Sequence, residues 1–103
     1  MSDLTGKVAY ITGVARGQGR SHAIALAKRG VRIVGVDICA PVATAPYDMA
    51  DENDLVETEK LIAEVGGESM LSVGDVRDLD VQIAAVSAAY DRWGRMDIVL
   101  GNA

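Results

Sequence analysis

Thr12-Gly13-Val14-Ala15-Arg16-Gly17-Gln18-Gly19 separates a short apolar run from a stretch of small, helix-forming residues. A Gly-x-x-x-Gly-x-Gly loop between a strand and a helix turns tightly, lets backbone N–H groups approach phosphate, and aims a helix N-terminus at it. Gly13, Gly17 and Gly19 have this spacing. An ordinary strand-to-helix turn would account for one or two of these glycines. The triplet in its context is read as a cradle for the pyrophosphate of a dinucleotide.

Upstream, Lys7 to Ile11 is a mostly apolar run that breaks abruptly into glycine, as a buried parallel strand does on entering its loop. Downstream, Gln18 to Arg29 carries Ala23, Ile24, Ala25, Leu26 and Ala27 and stops at Gly30, which predicts a small-residue helix lying close to a sheet. Val31 to Asp37 is β-branched and ends in an acid, a second strand. Ile38 to Ala50 holds Pro41 and Pro46 and exceeds the usual two-to-six-residue connection. Asp51 is placed to cap a helix whose Leu55, Leu61, Ile62 and Val65 share a face before Gly66-Gly67.

Met70 to Val73 is a third strand, followed by Gly74-Asp75-Val76-Arg77. Asp78 then caps a helix on which Leu79, Ile83, Val86, Tyr90 and Trp93 recur at steps of 4, 3, 4 and 3, predicting an apolar face that puts Tyr90 and Trp93 in the core. Gly94 ends it, and Met96 to Leu100 runs as a fourth strand into Gly101-Asn102-Ala103. The order β-α-β-α-β-α-β predicts an α/β fold of Rossmann type, three-layered, with right-handed crossovers, helices on both faces and a partial parallel sheet of strand order 3-2-1-4. Ligands of such sheets bind beyond the strand carboxyl ends, at the switch between strands one and four.

With 103 residues, half of them hydrophobic and 24% charged, the composition is that of one globular domain spanning residues 1–103. A domain of this length buries roughly two-thirds of its unfolded surface. No run reaches the roughly 20 apolar residues of a membrane span, and Met1-Ser2-Asp3-Leu4 lacks a signal-peptide pattern, so a cytoplasmic setting is expected. Cys39 is the single cysteine and His22 the single histidine, which leaves no internal disulfide and no metal cluster. A net charge of −5 without a basic stripe argues against nucleic acid and for small molecules or other subunits as partners.

Asp37 lies 24 residues after Gly13, where an acid accepts hydrogen bonds from both hydroxyls of an adenosine ribose and repels a 2′-phosphate. Arg16, beside Gly17, points the other way, since a cation there would pair with that phosphate. Asp37 weighs more, because a charge-assisted hydrogen bond is worth roughly 1.5–3 kcal/mol. NAD is therefore preferred over NADP.

Three strings together resemble the classical short-chain dehydrogenase/reductase family: Thr12-Gly-x-x-x-Gly-x-Gly19, Asp75-Val76 after strand three, and Asn102-Ala103 after strand four. The resemblance implies that Asp75 hydrogen-bonds the adenine amino group, that Val76 meets the ring through its backbone, and that Asn102-Ala103 helps to hold strand four beside the cofactor. Thr12, Gly13, Ala15, Arg16, Gly17, Gln18, Gly19, Asp37, Ile38, Asp75, Val76, Asn102 and Ala103 are the candidate cofactor-binding residues. The wording Gly13 to His22, the string Val36-Asp-Ile-Cys39-Ala-Pro41 and the segment to Ala50 further resemble a carveol-dehydrogenase-like, mycofactocin-coupled branch with tightly held NAD. That implies hydride transfer between a secondary alcohol or ketone and NAD, mycofactocin as an electron acceptor, and a homo-oligomeric parent protein.

The family's chemistry uses a Ser and a Tyr-x-x-x-Lys pair, in which Lys lowers the pKa of the proton-transferring Tyr. Here Tyr10, Tyr47 and Tyr90 are followed four residues later by Val14, Asp51 and Gly94, so no catalytic residue is assigned. His22 is read as a helix-surface or packing residue, and Cys39 as a small buried or loop residue. The chain reads as the cofactor half of the enzyme, truncated after strand four, and is expected to be poorly soluble and without turnover alone. A non-catalytic NAD-binding module is a second reading. A methyltransferase fragment, which would bind S-adenosylmethionine, is a third, weakened by the glycine spacing and Asn102-Ala103.

Overall fold

Short, mostly apolar runs alternate along the chain with glycine-punctuated helices, and each run becomes one strand of a single parallel sheet. A computed structural model describes residues 4–15, 17–38 and 52–101. In chain order the elements are β1 (Val8–Thr12), α1 (Gly17–Lys28), β2 (Arg32–Asp37), α2 (Glu52–Glu64), β3 (Ser69–Val73), α3 (Leu79–Trp93) and β4 (Ile98–Gly101). The sheet order is β3-β2-β1-β4 with every pair parallel, as the sequence predicts. The strand limits shift from the expected ones by one or two residues; just before β4, the Asp97 carboxylate accepts the Val8 N–H at 2.9 Å and two Arg95 donors, while the Asp97 N–H donates to the Val8 carbonyl at 2.9 Å.

All five residues of β1 are buried, so both faces of the sheet are covered there. On one face Ala9, Ile11 and Ile33 pack under α1 and α2 with Val14, Ala23, Ala27, Leu55 and Ile62. The residues α1 buries are Gly19, Ala23 and Ala27, small enough to let the helix lie close to the strands. On the other face Val8, Tyr10, Val34 and Val36 lie under Ala85 and Ala89 of α3.

The face that α3 buries differs from the expected one. Trp93 and Val86 are partly buried against the second core, but Leu79, Ile83 and Tyr90 are at least half exposed, and Tyr90 is therefore not a core residue. Apolar residues surround most of this helix, and spacing alone does not say which arc meets the sheet. Ala85 and Ala89 permit the closest approach, so the alanine arc wins. Asp78 caps α3 as expected, its side chain accepting the Asp80 N–H, and Gly94 closes it in a left-handed conformation. Val99, beside Tyr10 in the sheet register, is also exposed.

Candidate functional site

The carboxyl ends of all four strands lie along one edge of the sheet, and the last two residues of β2 organise it. The Val36 carbonyl accepts the Gly13 N–H at 2.9 Å, and the Asp37 carbonyl accepts the Gly74 N–H at 2.9 Å. One oxygen of the Asp37 carboxylate accepts the Ala15 N–H at 3.0 Å. The glycine loop after β1 and the turn after β3 are thus both tied to the end of β2. Asp37 is only 8% exposed, so its carboxylate is held rather than solvated.

Within the loop, Gly13 and Gly17 have φ of +67° and +64°, a region costly for any residue with a Cβ. Gly19 is demanded by closeness: a Cβ there would coincide with the Gly13 carbonyl oxygen and stand 2.6 Å from its carbon. A Cβ on Gly17 would meet nothing within 4 Å, so the loop opens outward at that point. Backbone pressed against backbone on the inside, open space outside and a helix N-terminus beyond form a cradle that fits a pyrophosphate. Gln18 is exposed in the first turn of α1, Thr12 is buried at the end of β1, and Ile38 is half-buried just past Asp37.

Two supports of this edge are not predicted from the sequence. Arg20 donates through Nη2 to the carbonyls of Ala15 (2.6 Å) and Asp54 (2.7 Å), and through Nε to the Thr58 hydroxyl at 2.8 Å. Gly35, in the middle of β2, leaves room for Val14, since a Cβ would stand 2.7 Å from its Cγ1. Neither role is legible locally, because the contacts of Arg20 with Asp54 and Thr58, and of Gly35 with Val14, join residues distant in sequence.

Beyond β3, Asp75 is gripped by Arg77, whose Nη2 lies 2.7 Å from Oδ2 and whose Nε lies 3.0 Å from Oδ1. That guanidinium, helped by the Arg77 N–H, lowers the carboxyl from its ordinary 3.8 to about 2. Because the folded value is depressed, the contribution of the pair is fully present above the unfolded value and lost as pH falls through about 2. Arg77→Leu is expected to return the Asp75 carboxyl toward 3.8, followed by its side-chain carbon resonance; an ordinary value in the unsubstituted chain would refute the pairing. The Val76 carbonyl accepts from Gln82 Nε2 at 2.6 Å, which fixes the backbone at that position.

Tyr10 is buried, and burial pushes its phenol pKa up, opposite to what a proton-transferring tyrosine needs. His22 is exposed on α1, which selects the surface alternative over the packing one. Among the described residues no cluster of three His, Cys, Asp or Glu side chains forms, and no helix is long and apolar enough to cross a membrane. Arg16, Cys39, the Asp51 cap, Asn102 and Ala103 lie outside the described residues.

The family model for short chain dehydrogenases matches residues 7–103. The chain belongs to the short-chain dehydrogenase family. A relative among these oxidoreductases, (−)-trans-carveol dehydrogenase of Rhodococcus erythropolis, is 42% identical over the whole chain, which covers 37% of that protein. An uncharacterized oxidoreductase of Mycobacterium tuberculosis is 47% identical over 97% of the chain and 37% of its own length. The crystal structure of carveol dehydrogenase from Mycobacterium avium in complex with NAD superposes with a TM-score of 0.95 at 40% identity, over 100% of this chain and 37% of that one. This short-chain dehydrogenase segment thus spans just over a third of the length of the relatives it matches.

Proposed function

We propose that the chain is the cofactor-binding part of an NAD-dependent oxidoreductase that interconverts a secondary alcohol and a ketone. The observation that carries this reading is the bond from Asp37 to the Ala15 N–H, which fixes an acid at the rim of the glycine loop. Thr12, Gly13, Ala15, Arg16, Gly17, Gln18 and Gly19 form the pyrophosphate cradle. Asp37 and Ile38 flank the adenosine ribose, Asp75 and Val76 receive the adenine, and the family resemblance gives Asn102-Ala103 the part of holding strand four beside the cofactor. Bound there, NAD supplies the acceptor, or in reduced form the donor, of a hydride.

The carboxylate of Asp37 repels a 2′-phosphate at the position where it accepts ribose hydroxyls, which favours NAD over NADP. The carveol and NAD in the names of the similar proteins support a small alcohol as substrate and NAD as cofactor. Mycofactocin as final electron acceptor and a homo-oligomeric whole protein rest on the resemblance of sequence, and a cytoplasmic setting on the reading of residues 1–4 and of the apolar runs. The 103 residues contain no Tyr-x-x-x-Lys, so this segment binds and orients the cofactor without moving the substrate proton.

Titration with NAD, NADP and S-adenosylmethionine tests the reading. NAD is expected to bind, NADP more weakly, and the sulfonium compound not at all; stabilisation by the sulfonium compound and not by NAD would refute NAD as the ligand of the loop. Asp37→Ala is expected to weaken NAD by about tenfold to a hundredfold, at roughly 1.4 kcal/mol per decade. Unchanged affinity in that variant would remove Asp37 from the site.

A further inference from the structure

We propose that Arg20 and Thr58 act as a clamp behind the glycine loop, positioning the Ala15 peptide and so setting how tightly the loop holds a dinucleotide. The proposal rests on the reading of that loop as an NAD cradle and assigns it two positioning residues, neither of which touches the cofactor.

Both polar groups of Ala15 are held. Its N–H donates to the Asp37 carboxylate at 3.0 Å, and its carbonyl receives Arg20 Nη2 at 2.6 Å and the Thr58 hydroxyl at 2.8 Å. The neighbouring Val14 carbonyl lies 3.1 Å from the same hydroxyl. Thr58 is fully buried in the middle of α2, a place where a threonine with no partner would be costly. Arg20 faces inward from the first turns of α1, and its donors go to two carbonyls and one hydroxyl. It therefore serves the loop backbone, while its charge adds to the positive end of α1.

The geometry requires the guanidinium. One nitrogen bridges the carbonyls of Ala15 and Asp54 while another reaches Thr58, an arrangement for a planar fork with several fixed donors. A lysine ammonium keeps the charge but not that spacing. The result is a continuous path from Asp37 through Ala15 to Arg20, Thr58 and Asp54. The position of the loop is thereby tied to α2, an element that contributes no residue to the candidate site.

The test uses Thr58→Val, Thr58→Ser, Arg20→Lys, Arg20→Met and the double variant Arg20→Met/Thr58→Val. They are made in this chain and in the same chain continued to the length of its relatives. NAD dissociation constants are measured, and amide hydrogen exchange is followed without NAD in the peptide 13–19 and in β1 and β2. Thr58→Val is expected to weaken NAD about tenfold, roughly 1.4 kcal/mol. It should also speed exchange in 13–19 while leaving both strands protected. Thr58→Ser should restore both properties, Arg20→Lys should not, and the double variant should bind no worse than Arg20→Met, since the two residues act as one unit.

Unchanged affinity and loop exchange in Thr58→Val would overturn the clamp. So would exchange rising equally in loop and strands, which would mark a general packing role for α2. An unsubstituted protein that ignores NAD would instead refute the reading of the loop and the cofactor half of the proposal. The exchange comparison, made without NAD, still decides whether the clamp fixes the loop.

Discussion

Gly19→Ala is expected to weaken NAD by at least about a hundredfold, a loss of roughly 2.8 kcal/mol or more. The added Cβ would occupy the place of the Gly13 carbonyl oxygen, 2.6 Å from the Gly13 carbon and 3.1 Å from the Val14 Cα. All three atoms are backbone, so no side chain can rotate away. Nor can the loop retreat easily: the Gly13 N–H is fixed to Val36, Ala15 to Asp37, and the buried β1 precedes them directly. Helix propensity acts in the opposite direction, since alanine is better than glycine inside a helix by about 1 kcal/mol. The steric term is larger, and it falls on the amides that would face the phosphates. Gly17→Ala is the internal comparison: with open space around it the substitution meets only left-handed backbone strain, roughly 1–2 kcal/mol. Calorimetric titration of both variants checks the order, and a Gly19→Ala affinity within a few-fold of the parent would refute the cradle.

What could be read from the sequence was whatever short spacing encodes. The glycine triplet, Asp37 at the end of β2 and the order of strands follow from local patterns, and the sheet has the order those patterns predict. The Asp78 cap lies two residues from the N–H it receives, and was equally legible. The buried arc of α3 was not, because its apolar residues nearly encircle the helix and the sheet selected Ala85 and Ala89 by closeness. Arg20 and Thr58, 38 residues apart, meet only when α1 and α2 lie side by side. Gly35 is required by Val14 of the loop, which packs where a Cβ would stand, a contact between residues 21 positions apart. These supports around the glycine loop are long-range, and no single-element pattern contains them.

Ile33→Ala should separate the sheet that carries the site from the site itself. Ile33 is fully buried between α1, α2 and the sheet, and its backbone is paired to β1 on one side and β3 on the other. Strands held on both sides cannot close around a vacancy, so the cost should lie within the range for large-to-small core changes, about 2–5 kcal/mol. For a domain of this size, a loss of about 3 kcal/mol corresponds to roughly 12–24 °C in melting temperature. Yet Ile33 stands four residues before Asp37, roughly 13 Å along the strand at about 3.3 Å per residue. NAD affinity, measured well below the melting transition, should therefore stay within about twofold of the parent, and saturating NAD should stabilise variant and parent by the same free energy, as expected when a ligand binds only the folded state. Gly19→Ala should do the reverse, losing affinity far out of proportion to stability. If Ile33→Ala lost affinity in step with its melting temperature, the loop would be responding to the whole sheet, and the local anchoring at Val36 and Asp37 would not suffice to hold it.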